Sequence, residues 1–158
     1  AVVFGRTGGQ DTWNINFTNS AIHTILQKNK NIFFIFQNTP EIFNHPNVFY
    51  LPTTSDLSFK TRFINTCDAL LHSRLEGESF GVTCGEFSIR NKRVITYARS
   101  KERNHIDILG EKGLYYSNHD ELYDILTNFR PDISENWNCY SQFNPKTVMD
   151  TFKNIFIK

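Results

Sequence analysis

The stretch Ala69-Leu70-Leu71-His72-Ser73-Arg74-Leu75-Glu76-Gly77-Glu78-Ser79-Phe80-Gly81-Val82-Thr83-Cys84-Gly85-Glu86 decides the fold. Its apolar opening is too short for a helix, so Ala69–Leu71 reads as a brief buried strand. A polar, glycine-punctuated loop follows, and then a helix predicted over about Phe80 to Asn91. A strand running through such a loop into a helix is half of a βαβ crossover. The loop then lies beyond the carboxyl end of its strand, where open parallel sheets bind ligands. With Gly81, Thr83 and Gly85 in it, the helix is poor by propensity. That composition suits close packing against a ligand or the sheet better than a solvated position.

The same alternation extends in both directions. Ala1–Gly5 reads as the first strand, closed by Gly5-Arg6-Thr7-Gly8-Gly9. Phe17, Ala21, Ile22, Ile25 and Leu26 recur at helical spacing. Asn31–Phe36 is a continuous apolar run of the kind a doubly covered parallel strand shows. Pro40 and Pro46 mark 38–46 as a loop, and Val48–Leu51 as the strand after it. Ser55 is the predicted cap of a helix carrying Leu57, Phe59 and Phe63. Val94–Tyr97 and Leu114–Tyr116 read as strands, with a short helix at Asn104–Leu109 between them, ended by Gly110. Leu122, Tyr123, Ile125, Leu126 and Phe129 form a helix face stopped by Pro131. Asn144-Pro145 predicts an N-cap with proline at the first helical position, and Val148, Phe152, Ile155 and Phe156 form that last helix's apolar stripe. The pattern predicts an α/β fold: a Rossmann-like parallel sheet with helices on both faces, in one domain over residues 1–158. The chain opens on Ala1-Val2-Val3-Phe4, already strand-like and without Met, and is expected to be a domain of a longer protein.

Composition removes several classes. At 158 residues the chain can bury a core without disulfides or metal. Lys plus Arg number 17 against 16 Asp plus Glu, a net charge of +1, so no field favours a nucleic-acid partner or an anionic membrane. No apolar run approaches the roughly 20 residues of a membrane span, and no signal peptide opens the chain. We expect no transmembrane segment and a cytoplasmic location. Cys67, Cys84 and Cys139 are odd in number and lack a C-x-x-C, so they read as buried thiols in a reducing compartment.

Two loops can carry chemistry. Gly5-Arg6-Thr7-Gly8-Gly9-Gln10-Asp11-Thr12 has the glycines of a phosphate cradle, but its spacing fits neither a P-loop nor a G-x-G-x-x-G fingerprint. Arg6 can hold a phosphate bidentately; alone, the loop reads equally as a flexible turn with a solvent-facing arginine. In the second loop, the backbone N–H groups around Ser79, Phe80 and Gly81 open a helix on the ligand side and attract anions. Glu78 precedes that helix and Glu86 lies within it, roughly 8–10 Å further along the axis. Carboxylates so spaced suit the hydroxyls of two different sugars better than one metal ion. The plainer reading makes Glu78 a helix cap and Glu86 a solvated side chain. There is no D-x-D and no His/Asp cluster at ligand spacing, so no metal is expected.

Glu78-Ser79-Phe80-Gly81 followed by Glu86, two glutamates separated by seven residues, resembles the signature of retaining GT-B glycosyltransferases of family 4, the glycosyltransferase group-1 type. Phe4-Gly5-Arg6 resembles that family's Gly-Arg loop, Tyr50-Leu51-Pro52 its nucleotide-facing strand end, and Leu71-His72-Ser73-Arg74 its Pro-Ser-Arg segment. Asn91-Lys92-Arg93-Val94-Ile95 and Gly110-Glu111-Lys112-Gly113-Leu114-Tyr115 resemble later segments, in the right order. The resemblance implies the C-terminal, donor-binding half of a GT-B enzyme, with a nucleotide diphosphate sugar as donor substrate, no cofactor or metal, and a partner in the acceptor-binding N-terminal domain that is absent from this chain. It implies that Glu86 holds the ribose hydroxyls and Glu78 hydroxyls of the donor sugar. Ser79, Phe80 and Gly81 would lie against sugar and diphosphate. Arg6, with Gly8, Gly9 and Arg74, would meet the diphosphate, and Leu51, Pro52 and Thr53 the base. Transfer would proceed with retention at the anomeric carbon, and the fragment alone would turn over little or nothing.

Two positions depart from the family pattern. Asp11 stands where a second diphosphate cation, a lysine, is usual; His72 replaces proline, with Glu76-Gly77 inserted after it. The Asp11 departure favours the alternative, a catalytically inactive nucleotide-sugar-binding or protein-interaction module. A flavodoxin-like receiver would want acidic residues where Arg6 stands. His72 reads as packed or, less simply, as a ligand contact. Lys101, Glu102, Arg103 and His105 read as a solvated charged loop or, less simply, as a border of the ligand crevice. Trp13 and Trp137 read as packing residues, with Trp13 alternatively facing the donor, and Asn16-Phe17-Thr18 as a sequon without meaning in a chain that is not secreted.

Overall fold

Arg6 lies one residue before the end of one of the two central strands of a six-stranded sheet. The computed structural model describes residues 1–9 and 14–157. Its elements in chain order are β1 (Val2–Thr7), α1 (Asn16–Lys28), β2 (Ile32–Gln37), β3 (Val48–Leu51), α2 (Leu57–Thr66), β4 (Ala69–His72), β5 (Gly77–Glu78), α3 (Val82–Ser88), β6 (Arg93–Tyr97), β7 (Glu102–Arg103), α4 (Asn104–Leu109), β8 (Leu114–Tyr116), α5 (His119–Asn128) and α6 (Pro145–Phe156). The sheet order is β3-β2-β1-β4-β6-β8, and every pairing is parallel. This is the Rossmann-like α/β fold the sequence predicts. The strand order reverses between β1 and β4, and a crevice opens there beyond their carboxyl ends.

Side-chain alternation along the strands sorts the core into two layers. Phe4, Ile32, Phe34, Phe36, Ala69, Leu71 and Ile95 face one side and meet Ala21, Ile22 and Ile25 of α1 with Leu122 and Leu126 of α5. Val3, Ile35, Leu70 and Val94 face the other and meet Phe63 and Ile64 of α2, Cys84 and Phe87 of α3, and Leu109 of α4. Both faces are covered, so the strands read as unbroken apolar runs. Cys67 and Cys84 are buried thiols and Cys139 is half-buried, while Trp137 packs under Arg93, whose guanidinium carbon lies 4.2 Å from the ring centroid.

Four local expectations change. Asp56, not Ser55, caps α2, accepting from the N–H of Ser58 at 2.8 Å and of Phe59 at 3.3 Å; a carboxylate next to the helix start is the better acceptor. The α3 helix is shorter than Phe80–Asn91, because Gly81 starts it in the left-handed region with φ +80 and the chain turns again after Ser88. A second, two-stranded parallel ladder joins β5 to β7. The apolar stripe of α6 is not buried: Asn144 caps that helix as expected, but Phe152 and Phe156 are 47% and 70% exposed. The segment before this helix packs back on the fold, with Tyr140 buried beside α3, and α6 packs mainly on the 3-10 turn Ser141–Phe143. Among the described residues, no helix is long and apolar enough to cross a membrane.

Candidate functional site

The crevice at the strand-order switch has a volume of about 280 Å³, near the small end for ligand pockets. Arg6, Thr7, Gly8 and Gly9 line it from the end of β1. Leu71, His72, Ser73 and Arg74 line it from the end of β4, and Glu78 through Thr83 form its third wall. Most of the residues singled out in the sequence converge here: Arg6, Gly8, Gly9, Arg74, Glu78, Ser79, Phe80 and Gly81. Asp11 and Trp13 lie outside the described residues.

Arg6 is buried, 3% exposed, and not the solvent-facing side chain of the plainer reading. Its guanidinium donates to the Gly8 carbonyl at 3.1 Å, to the Gly9 carbonyl at 3.2 Å and to Thr39 Oγ1. It thereby ties the glycine loop to the loop after β2 and carries a fixed positive charge into the crevice wall.

Opposite, the turn 79–81 offers backbone donors. Asn104 Nδ2 donates to the Ser79 carbonyl, and the Tyr140 hydroxyl donates to the Phe80 carbonyl at 2.8 Å. The N–H groups of Ser79, Phe80 and Gly81 reach no acceptor among the described residues. Tyr140 also explains the glycine spacing. A Cβ on Gly81 would meet His105 Cβ at 2.9 Å, and one on Gly85 would meet the Tyr140 ring at 2.9 Å. Amides without an acceptor among the described residues, lining the same crevice as a buried guanidinium, can form an anion cradle.

Glu78 supplies the negative wall and caps no helix. Burial raises its pKa, but hydrogen bonds from His72 and Arg74 outweigh this and hold it down to about 2. Arg74 NH1 donates to Glu78 Oε1 at 2.8 Å, and His72 Nε2 lies 3.3 Å from the same oxygen. His72 is packed, 7% exposed, yet its ring still lines the crevice. The carboxylate is therefore ionised and aimed, a hydroxyl acceptor rather than an acid.

Glu86, Leu51, Pro52 and Thr53 do not line this crevice. Glu86 sits a turn further along α3, its Oε1 paired with Lys60 Nζ of α2 at 2.6 Å and its Oε2 buried without a partner among the described residues. The strand end at Pro52 connects to the crevice through Gln37, which donates to the Pro52 carbonyl at 3.4 Å and accepts from Thr7 Oγ1 at 3.1 Å. Lys60 was not legible from sequence, because nothing in an amphipathic helix distinguishes it from solvated lysines. Lys60→Met should cost about 1 kcal/mol, measured by urea unfolding, since a half-buried carboxylate then keeps no partner on either oxygen. Full recovery in the Lys60→Met, Glu86→Gln double variant would confirm the coupling.

His105 is the other surprise. It is fully buried instead of solvated, and Thr96 Oγ1 lies between its Nε2 at 3.1 Å and His72 Nδ1 at 2.8 Å. Burial, helped by the neighbouring His72, lowers its pKa from 6.5 to about 4, against the opposing pull of the Glu78 main chain and charge. The unfolded chain therefore binds the extra proton first. Stability is full above pH 6.5 and falls as the pH drops toward 4, by up to ~3 kcal/mol if His105 acts alone. Glu78 has the lower window: its contribution is present above pH 4.5 and is lost as the pH falls toward 2. Urea midpoints against pH should show both, and His105→Gln should flatten only the upper one. Among the described residues, no three His, Cys, Asp or Glu side chains gather as a metal-binding group.

No family model matches the chain, and no curated protein matches its sequence. Solved structures do match its fold. TarM superposes with a TM-score of 0.75 at 13% identity, over 99% of this chain and 35% of TarM. HepE from Anabaena, solved with UDP-glucose, gives 0.70 at 13% identity over 97% of this chain and 49% of HepE. The C-terminal domain of LpcC, a glycosyl transferase group 1 family protein from Francisella tularensis, gives 0.64 at 13% identity over 98% of this chain and 87% of that domain. The chain thus spans about a third of TarM and half of HepE. It shares the fold of these glycosyltransferase structures, of the LpcC C-terminal domain over nearly its whole length.

Proposed function

We propose that this chain is the donor-binding half of a retaining glycosyltransferase that uses a nucleoside diphosphate sugar. One observation carries the reading: a buried guanidinium, unused backbone amides and an ionised carboxylate line one crevice at the strand-order switch. Arg6, the amides of residues 79–81 and Arg74 meet the diphosphate, and Glu78 accepts hydroxyls of the sugar. Glu86 takes the ribose once the ligand draws its carboxylate or Lys60 aside, and the base lies toward Leu51, Pro52 and Thr53. Breaking the sugar–phosphate bond places negative charge on the departing diphosphate, and preorganised donors stabilise that charge most. Charge neutralisation falls to the arginines and amides, so transfer needs no metal. The acceptor and its binding groups come from the other half of the enzyme.

Thermal melting with UDP, GDP, ADP and their glucose conjugates, each with and without EDTA, tests this. One nucleotide should raise the melting temperature in proportion to ln of its concentration, unaffected by EDTA, and Glu86→Ala should abolish the response. No response to any of them would return the chain to an interaction module without a donor site.

A further inference from the structure

The polar chain behind Glu78 fixes its own proton positions. His72 and Thr96 are register partners on β4 and β6, so their side chains stand side by side on one face, and α4 brings His105 over them with ring centroids 5.1 Å apart. A threonine hydroxyl has one proton to give. Thr96 Oγ1 has an imidazole nitrogen on each side, at 2.8 and 3.1 Å, so at least one ring must donate to it. Glu78 is ionised and can only accept, which requires a proton on the facing His72 Nε2. A neutral His72 then has a bare Nδ1, which needs the Thr96 proton. Thr96 must in turn accept from His105 Nε2–H. A neutral His105 is left with a bare Nδ1; that nitrogen is buried and makes no hydrogen bond of normal geometry among the described residues, although the Glu78 main chain lies near the ring and pulls the other way.

We propose that His105, acting through the Thr96 hydroxyl, is a positioning residue that holds His72 in its Nε2–H tautomer, so that the ring donates to Glu78 Oε1 and leaves Oε2 for a ligand hydroxyl. Both described contacts of this carboxylate, from Arg74 and His72, go to Oε1. Pinning one oxygen from two directions fixes the carboxylate plane and presents the other oxygen in one orientation. That orientation serves the sugar of the donor, a step that rests on the function proposed above. The tautomer assignment itself does not.

Long-range 1H–15N correlation spectra of the ligand-free protein at neutral pH read each ring nitrogen directly. In the wild type, His72 and His105 should both show a protonated Nε2 and a bare Nδ1. Thr96→Val keeps the shape without the hydroxyl and should turn His72 into a mixture of tautomers; Thr96→Ser should restore the single form. A wild-type His72 with its proton on Nδ1, or on both nitrogens, overturns the proposal without any variant. An unchanged tautomer in Thr96→Val also overturns it. The second readout is the ratio of UDP-glucose to UDP affinity. Thr96→Val should lower it roughly 5- to 10-fold, the partial loss of one charged-group hydrogen bond when only a share of the molecules keeps the tautomer, with UDP affinity unchanged and Thr96→Ser recovering the ratio. A scrambled tautomer with an unchanged ratio removes the sugar role of Glu78 and leaves the relay standing.

Discussion

Arg6→Ala is expected to weaken nucleoside diphosphate binding roughly 100-fold, the value of about two charge-assisted hydrogen bonds to one anion. The size of the effect follows from where the charge sits. A surface arginine works against its own flexibility and bulk water, whereas Arg6 is 3% exposed and already fixed by Gly8, Gly9 and Thr39. Little side-chain entropy remains to be lost on binding. Arg6→Lys separates charge from shape. A lysine keeps one cation but cannot hold both loop carbonyls in a fork, so roughly half of the free-energy loss should return. Calorimetric titration with UDP and UDP-glucose measures both variants. An Arg6→Ala protein that melts as the wild type and binds as tightly would remove Arg6 from the site.

Gly77→Ala should have the largest effect on the fold near the site. Gly77 has φ +75, and an added Cβ would lie 1.9 Å from the Glu102 carbonyl oxygen and 2.7 Å from Ser100 Cβ. The carbonyl belongs to β7, which pairs with β5, so the clash cannot be relieved by rotating a side chain. Left-handed strain and overpacking together should cost roughly 3–5 kcal/mol, about 10 °C in melting temperature for a chain of this length. Part of that loss should appear as local opening of the β5–β7 ladder. Glu78 is the other residue of β5, so its carboxylate would leave Arg74 and His72 and the donor sugar would lose its acceptor. Gly110→Ala is the control. It too has a positive φ, +51, with ψ -136, but nothing lies within 4 Å of its Cβ, so it should carry the backbone strain alone, roughly 1–3 kcal/mol. Equal losses in the two variants would show that the contact with Glu102 contributes nothing.

How much of this was legible depended on how local the cause was. The main-sheet strands announce themselves because both faces are covered, and a doubly covered strand is apolar at every position. The crevice residues were legible for a related reason: Gly81 and Gly85 record, in sequence, where Tyr140 and His105 press against the backbone. The two-residue strands β5 and β7 carry no periodicity at all. They exist because the chain after β6 returns beside the loop before α3, with the Lys101 and Glu102 N–H groups donating to the Leu75 and Glu76 carbonyls. His105 follows three charged residues, which reads as solvent, yet the turn of α4 carries it into the core beside Thr96. The stripe of α6 has helical spacing, but spacing identifies a helix and not what covers it. Lys60 and Glu86 meet only because α2 and α3 share one face of the sheet.

In the proposed function, one crevice divides a donor between two walls, diphosphate at Arg6 and sugar at Glu78. Calorimetric titration of wild type and Glu78→Gln with UDP, GDP and ADP and their glucose conjugates tests it most directly. Wild type should bind one nucleotide sugar more tightly than the bare nucleotide, and Glu78→Gln should erase this advantage while binding the bare nucleotide within about threefold of wild type, since a half-buried wall residue on the sugar side leaves the Arg6 contacts in place. An equal loss for nucleotide and nucleotide sugar, or no binding by the wild type to any of the six, would contradict it.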